Sequence, residues 1–298
     1  MAVTLGFIGL GSMGMPMAQH LLKAGYTVVV YDLDDSAVRE AIADGAEAAS
    51  SPADIASRAE IIFVCVNTPQ ALIDIVLGET GVHRGGKVRI LVDLSTTGPP
   101  TEIEVAAGLK GTGITLIDSP ISGGRRGAIA GTLSVMIAGP ESACEEVKAL
   151  IETFGKNIFR IGDTPGQAQT MKVANTLMAS TASAVTAEVL VMGVKAGLDP
   201  KLMIDVFNTS TARNSATLEK FPDAVLPRTF DLGSMHAIVL KDLNLYLEAA
   251  QTVDAPMILG PAVVQMWQES MAANGETADN STIVKFLESK AGIIVRGQ

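Results

Sequence analysis

The chain has 298 residues, 48% hydrophobic and 18% charged, which is enough apolar material for about two domains and too little charge for a disordered chain. A net charge of −10 disfavours nucleic-acid binding, which needs a basic surface, and 4% aromatics leave little for base stacking. The cysteines Cys65 and Cys144 and the histidines His20, His83 and His236 are scattered, with no disulfide framework and no metal-ligand spacing.

The first apolar run, Thr4–Ile8, enters the turn Gly9-Leu10-Gly11-Ser12-Met13-Gly14, and a helical pattern over Met15–Ala24 leaves it. A second apolar run, Thr27–Tyr31, ends at Asp32. Strand, glycine turn, helix, strand and acid in that order make a dinucleotide-binding pattern. Gly9 permits the tight turn, Gly11 lets backbone approach a pyrophosphate, and Gly14 lets the helix pack close to the strand. The helix start offers free N–H groups and a positive dipole end to phosphates. Asp32 can accept hydrogen bonds from a ribose diol and would repel a 2′-phosphate. No Arg or Lys lies between Asp32 and Arg39, so the pattern points to NAD over NADP. Otherwise Asp32 is only the polar end of a strand, ahead of the acidic pair Asp34-Asp35.

Further β-branched runs follow at Ile61–Val66, Arg89–Asp93, Thr115–Asp118, Leu133–Ala138 and Asn157–Ile161, with helical stretches such as Pro52–Ala59 between them. The alternation predicts an α/β domain over residues 1–162, a Rossmann-type doubly wound, mostly parallel sheet. In such sheets ligands lie at the carboxyl ends of the strands. Two polar clusters stand there: Asn67-Thr68-Pro69, and Asp93 to Thr97 with Ser95 and Thr96. Either touches the cofactor, or both are ordinary turn chemistry. The loop Asp118-Ser-Pro-Ile-Ser122-Gly123-Gly124-Arg125-Arg126 joins a hydroxyl to successive glycine N–H groups. It is either an anion nest fit for a carboxylate or a flexible surface loop.

After Gly162 strand signals fade, and residues 163–298 read as an all-helical domain reached by a long helix near 165–195. Thr164 can cap that helix, Pro165 suits its first position, Gln167 can close a capping box, and Gly197 can end it. The greasy stretch Val173–Leu198 carries Asn175, Glu188 and Lys195, which fits a buried core helix better than a membrane span. No basic segment precedes Thr4–Leu10, and that run is too short for a secretory signal core. A cytoplasmic protein is expected. Lys172 and Asn175, three residues apart, share one helix face. A lysine among Ala, Met, Thr and Leu is costly unless it meets a wet cleft or an anion. Partly desolvated, it has a lowered pKa and can exchange a proton with a hydroxyl. The alternative is a lysine snorkelling at a helix edge.

Taken together these segments resemble the β-hydroxyacid dehydrogenase family. Gly6-Phe-Ile-Gly9-Leu-Gly11-Ser-Met-Gly14, the Asp118-to-Gly124 loop with Gly127-Ala and Gly131-Thr-Leu133, Lys172-x-x-Asn175 and Lys241-Asp-Leu243 stand in the family's order and spacing over nearly the whole chain. The resemblance implies an NAD-dependent oxidoreductase that moves a hydride between NAD and a small β-hydroxy acid, such as 3-hydroxyisobutyrate or a 2-hydroxy-3-oxopropionate/glycerate-like compound. It implies that Gly9, Leu10, Gly11, Met13 and Gly14 line the pyrophosphate, and that Asp32 meets the adenosine ribose. Asn67, Thr96 and Lys241 would lie near the nicotinamide half. Ser122, Gly123 and Gly124 would hold the substrate carboxylate. Lys172 would be the general acid/base and Asn175 its substrate-positioning neighbour. Specificity would involve Asn208–Ser215 and Phe230, and family precedent suggests a homodimer or homotetramer. One departure stands out: many relatives have Gly-x-Gly before the catalytic lysine, and this chain has Gly166-Gln167-Ala168, whose alanine N–H can still point the same way. Arg125 and Arg126 either meet a second anionic group on the substrate or are solvated. The competing readings are an imine reductase on the same scaffold, against which Lys172 argues, and a non-catalytic NAD-binding protein, against which Lys172, Asn175 and Lys241 together argue.

Overall fold

The computed structural model describes residues 3–297, and they divide into two units, one ending at Lys172 and one beginning at Val173. In the first unit the strands are β1 (Thr4–Ile8), β2 (Thr27–Tyr31), β3 (Glu47–Ala48), β4 (Ile61–Val64), β5 (Ile90–Asp93), β6 (Thr115–Asp118), β7 (Ile121–Ser122), β8 (Leu133–Ala138) and β9 (Gly155–Gly162). The helices between them are α1 (Gly14–Lys23), α2 (Asp35–Ala43), α3 (Pro52–Arg58), α4 (Pro69–Leu77), α5 (Pro99–Gly108), α6 (Gly124–Ala130) and α7 (Glu141–Ile151).

The strands form one sheet in the order β3-β2-β1-β4-β5-β6-β8-β7, with β9 paired to β8. From β3 to β6 every pairing is parallel. This is the doubly wound arrangement, whose strand order reverses between β1 and β4. Beyond β6 the sheet turns: β8 runs antiparallel to β6 and β7, and parallel to β9. The two-residue strands β3 and β7 escape a periodicity reading because two residues carry no alternation.

Helices cover both faces because the strands are apolar on both. Phe7, Val28, Val30, Phe63 and Val92 pack on one side with Met17 and Leu21 of α1. Ile8, Val29, Ile62, Val64 and Leu91 pack on the other with Ile55 of α3 and Leu72 of α4. Local chemistry starts several helices. Ser51 accepts from the Asp54 N–H at 3.1 Å ahead of Pro52, and Thr68 accepts from the Ala71 N–H at 3.1 Å ahead of Pro69. In each case the cap oxygen satisfies an orphan donor, and proline takes a position whose N–H has no helical partner.

A long helix, α8 (Gln167–Lys195), crosses from the first unit into the second. The second unit continues with α9 (Pro200–Thr209), a π-helical segment Ala216–Val225, α10 (His236–Thr252), α11 (Leu259–Asn274) and α12 (Ile283–Ala291). Its core holds Ala187, Leu190, Ile204, Phe221, Leu243, Trp267 and Ile283. By length and composition α8 could cross a membrane, but 44% of its most apolar window is already buried within the protein. The helix ends where expected: Gly197 takes φ +89°, and the Leu198 N–H returns to the Gly193 carbonyl at 2.9 Å, a Schellman closure.

Its start differs from the expectation. The helix begins at Gln167, so Pro165 stands in the preceding turn. Gln167 Oε1 does accept the Thr164 N–H at 3.0 Å, which is one half of a capping box. The main cap comes from Asp118, far away in sequence. Its Oδ2 accepts the N–H groups of Gly166, Ala168 and Gln169 at 2.8, 3.0 and 3.1 Å. The Asp118 carboxyl oxygen already satisfies those donors, so Thr164 has no capping work left to do.

Candidate functional site

The glycine turn after β1 has three glycines with three different reasons. Gly9 takes φ +92°, and a Cβ there would lie 2.1 Å from the Cys65 carbonyl oxygen. A Cβ on Gly14 would lie 1.8 Å from the Gly9 carbonyl oxygen. Both glycines are demanded by the protein's own backbone. Gly11 is not: its φ is ordinary, and a Cβ there would meet nothing within 4 Å. An exposed glycine over open space, beside a helix start with no side-chain cap and no acid in its first turn, leaves room and N–H groups for a pyrophosphate.

Asp32 closes onto this turn. Its Oδ2 accepts the Leu10 N–H at 2.5 Å and its Oδ1 accepts the Asp34 N–H at 2.8 Å. Each carboxylate oxygen keeps a lone pair for a ribose hydroxyl. The structure thus brings Gly9, Leu10, Gly11, Met13, Gly14 and Asp32 to one edge, at the carboxyl ends of β1 and β2, and these residues fit a dinucleotide.

The neighbouring loops are stitched together by hydrogen bonds. Ser95 Oγ accepts the Val66 N–H at 2.9 Å, which joins the loop of Asn67 to the loop of Thr96. Asn67 is exposed and Thr96 half-buried. The adjacent Thr68 serves as the cap of α4, so the polar cluster after β4 is in part turn chemistry. Gln169, fully buried, then ties the loop after β5 to α8. Its Oε1 accepts the Thr97 and Gly98 N–H groups, each at 3.1 Å, and its Nε2 donates to the Ser95 carbonyl at 3.1 Å and to Asp118 Oδ1 at 3.2 Å. Lys172, half-buried, stands one turn further along α8.

Ser122 lies in β7, opposite Ser134 of β8. Gly123 and Gly124 follow with φ +129° and +62°, conformations that a side chain would strain, and both are exposed, as are Arg125 and Arg126. Ala168 occupies the position of the second glycine that the family resemblance leads one to expect. Its N–H reaches Asp118, and its buried methyl packs with Met136 and Ala138.

Sequence reading missed the acidic floor beneath these loops. Asp93, Glu102 and Asp118 are all fully buried. Burial, then the neighbouring Asp93 carboxylate, pushes Glu102 well above the usual carboxylate range. Asp118 is pushed up to about 7, mainly by burial and by Asp93, against the downward pull of the N–H groups it accepts. Gln169 carried no sequence signal beyond being a polar residue after Ala168.

In the second unit Asn175 is exposed on α8. Lys241, on α10, has its Nζ 2.8 Å from Asp242 Oδ1. Phe230 takes φ +51° and lies beneath two cations, with Lys285 Nζ 3.9 Å and the Arg228 guanidinium 4.7 Å from its ring centre. Asn208 Nδ2 donates to the Thr217 carbonyl at 2.9 Å. One further amine was not singled out from sequence: Lys220 is held below its ordinary pKa by burial, and its Nζ donates to Ser183 Oγ at 3.0 Å.

Residues 4–162 match the NAD binding domain of 6-phosphogluconate dehydrogenase, and residues 166–287 match the domain described as NAD-binding of NADP-dependent 3-hydroxyisobutyrate dehydrogenase. The chain is 36% identical to 3-hydroxyisobutyrate dehydrogenase of Pseudomonas aeruginosa over 96% of its own length and 99% of the relative's. It is 33% identical to 2-(hydroxymethyl)glutarate dehydrogenase of Eubacterium barkeri, over 99% and 98%. A solved structure of Mycobacterium tuberculosis 3-hydroxyisobutyrate dehydrogenase with L-serine superposes with a TM-score of 0.85 at 27% identity, over 96% and 99% of the two chains.

Proposed function

The chain belongs to the β-hydroxyacid dehydrogenase family, and we propose that within it Lys172 is the general acid/base of the reaction. The activity is an NAD-dependent oxidation of a hydroxy acid at its CH–OH group. NAD, when bound, supplies the acceptor for the hydride. The work assigned to the chain is to bind, orient and move one proton. Ser122, Gly123 and Gly124 hold the substrate carboxylate through the hydroxyl and main-chain N–H groups. Asn175 orients the hydroxyl. Lys172, as a neutral amine, takes the hydroxyl proton while the hydride leaves the same carbon. In reduction its ammonium returns the proton to the alkoxide oxygen. Positioning and proton transfer together supply the acceleration.

The observation that carries this reading is the hydrogen-bonded chain from Asp118 through Gln169 to Ser95 and Val66. It ties the turn before Lys172 to the loops of Thr96 and Asn67, the residues read as flanking the nicotinamide half. Asp32, followed by exposed Leu33 and no base before Arg39, favours NAD over NADP. The substrate class is a small β-hydroxy carboxylate: 3-hydroxyisobutyrate, 2-(hydroxymethyl)glutarate, glycerate and serine are the compounds to test. Exposed Met171, Met178, Val185 and Met192 recur every seven residues along α8 and support self-association. The compartment proposed is the cytoplasm.

The test is Lys172→Ala. Turnover should fall by about a thousandfold or more, with NAD affinity, read by fluorescence titration, within about threefold of the parent. Retained turnover would refute the assignment.

A further inference from the structure

Taking Lys172 as the acid/base, we infer that Gln169 is its positioning residue, and that Asp118 is the anchor through which Gln169 acts. The buried amide of Gln169 makes four hydrogen bonds, two donated and two accepted. That is its full donor capacity and both lone pairs of its oxygen. Turning the amide over would set its N–H groups against the Thr97 and Gly98 N–H groups, so the orientation is unique. Glutamate lacks the donors, lysine lacks the acceptors, and asparagine falls one methylene short.

None of those side-chain bonds is needed to start α8. The helix start is already served by Asp118 Oδ2, with three N–H groups, and by Gln167 with Thr164. The side-chain amide of Gln169 instead reaches sideways, to both residues flanking Thr96 and to Gly98. Its effect is to set the spacing between the loop after β5 and the turn of α8 that precedes Lys172. An error of about 1 Å in such a spacing can lower a rate by roughly a hundredfold.

The experiment uses the full chain and 3-hydroxyisobutyrate, unlabelled and deuterated at C3. Gln169→Met keeps the length and removes all four bonds. Gln169→Asn keeps both groups on a shorter arm. Gln167→Ala removes a helix-start bond only, and Lys172→Ala tests the acid/base role separately. For Gln169→Met the expected result is a kcat roughly 10- to 100-fold lower, a larger deuterium isotope effect, a displaced limb in the pH profile of kcat/KM, and an NAD dissociation constant within about threefold. Gln169→Asn should show the same displacements in smaller degree, and Gln167→Ala should match the parent. A merely structural role would lower active enzyme while leaving the isotope effect and pH profile unmoved, and that result overturns the inference. Should Gln169→Met not fold, a normal kcat and pH profile in Gln169→Asn overturn it equally. Lys172→Ala inactive beside a normal Gln169→Met sinks this inference alone; active Lys172→Ala sinks the acid/base reading.

Discussion

Asp118 and Gln169 hold each other through two hydrogen bonds: Asp118 Oδ2 accepts the Gln169 main-chain N–H at 3.1 Å, and Gln169 Nε2 donates to Asp118 Oδ1 at 3.2 Å. The carboxylate is also the helix cap of α8, accepting from Gly166 and Ala168. Replacing it with alanine leaves several buried donors without an acceptor. Asp118→Ala is expected to cost about 3–5 kcal/mol, read by urea denaturation, and loss of less than about 1 kcal/mol would contradict the capping role.

Stability should depend on pH through the same group. Asp118 sits near 7 in the fold against 3.8 for the free side chain, so the folded state binds more protons than the unfolded one between those values. Its contribution is complete below about 3.8 and is lost as pH rises through 7. The groups facing it are Asp93 of β5 and Glu102 of α5, both acidic. Glu102, also raised, acts in the same direction. Over the whole range the Asp118 difference corresponds to roughly 4 kcal/mol at most. The stability advantage of the parent over Asp118→Asn should therefore shrink from pH 5 to pH 8 in urea titrations. An advantage that grows over that range reverses the sign and removes the argument.

The two glycines Gly11 and Gly14 should separate binding from folding. A methyl on Gly14 meets a carbonyl oxygen at 1.8 Å, and backbone cannot yield cheaply. Gly14→Ala is expected to lose about 3 kcal/mol or more of stability. A methyl on Gly11 meets nothing within 4 Å. Gly11→Ala should fold within about 1 kcal/mol of the parent yet bind NAD about tenfold or more weakly, a loss of roughly 1.4 kcal/mol. Equal NAD affinity in Gly11→Ala would place the pyrophosphate elsewhere.

Asp32→Asn keeps the shape of the side chain and removes its charge. The ratio of kcat/KM for NAD to that for NADP should fall by about tenfold or more, since repulsion of a 2′-phosphate is lifted and a charged acceptor for the ribose diol is lost. An unchanged ratio would detach Asp32 from cofactor choice.

In the helical unit Arg228 and Glu288 form an ion pair that is largely buried. Glu288 Oε1 also accepts the Val295 N–H at 2.8 Å, and Arg228 Nη1 donates to the Val295 carbonyl at 3.1 Å. Glu288→Ala strands a cation and an amide together. The expected loss is about 3 kcal/mol, visible as a lowered urea midpoint, and a neutral result would show that Arg228 finds water.

What was legible from sequence was local. The turn from Gly9 to Gly14, the acid at Asp32, the alternation of strands and helices, the long helix and the segment Lys172 to Asn175 are patterns within about thirty residues, where backbone geometry and side-chain period constrain residue type directly. The bounds of β4, β5 and β9 shifted by one to two residues, and β3 and β7 were too short to see. The tertiary structure alone decided that Asp118 caps α8, that Gln169 meets Ser95 and Thr97, and that three carboxyl groups share one buried floor. Those hydrogen-bonded residues stand up to 74 positions apart. Their contacts exist only because β5 and β6 are neighbours in the sheet and α8 begins at their carboxyl ends. A hydrogen-bond partner is chosen by which strands adjoin, and adjacency is a property of the folded sheet that no local run of residues encodes.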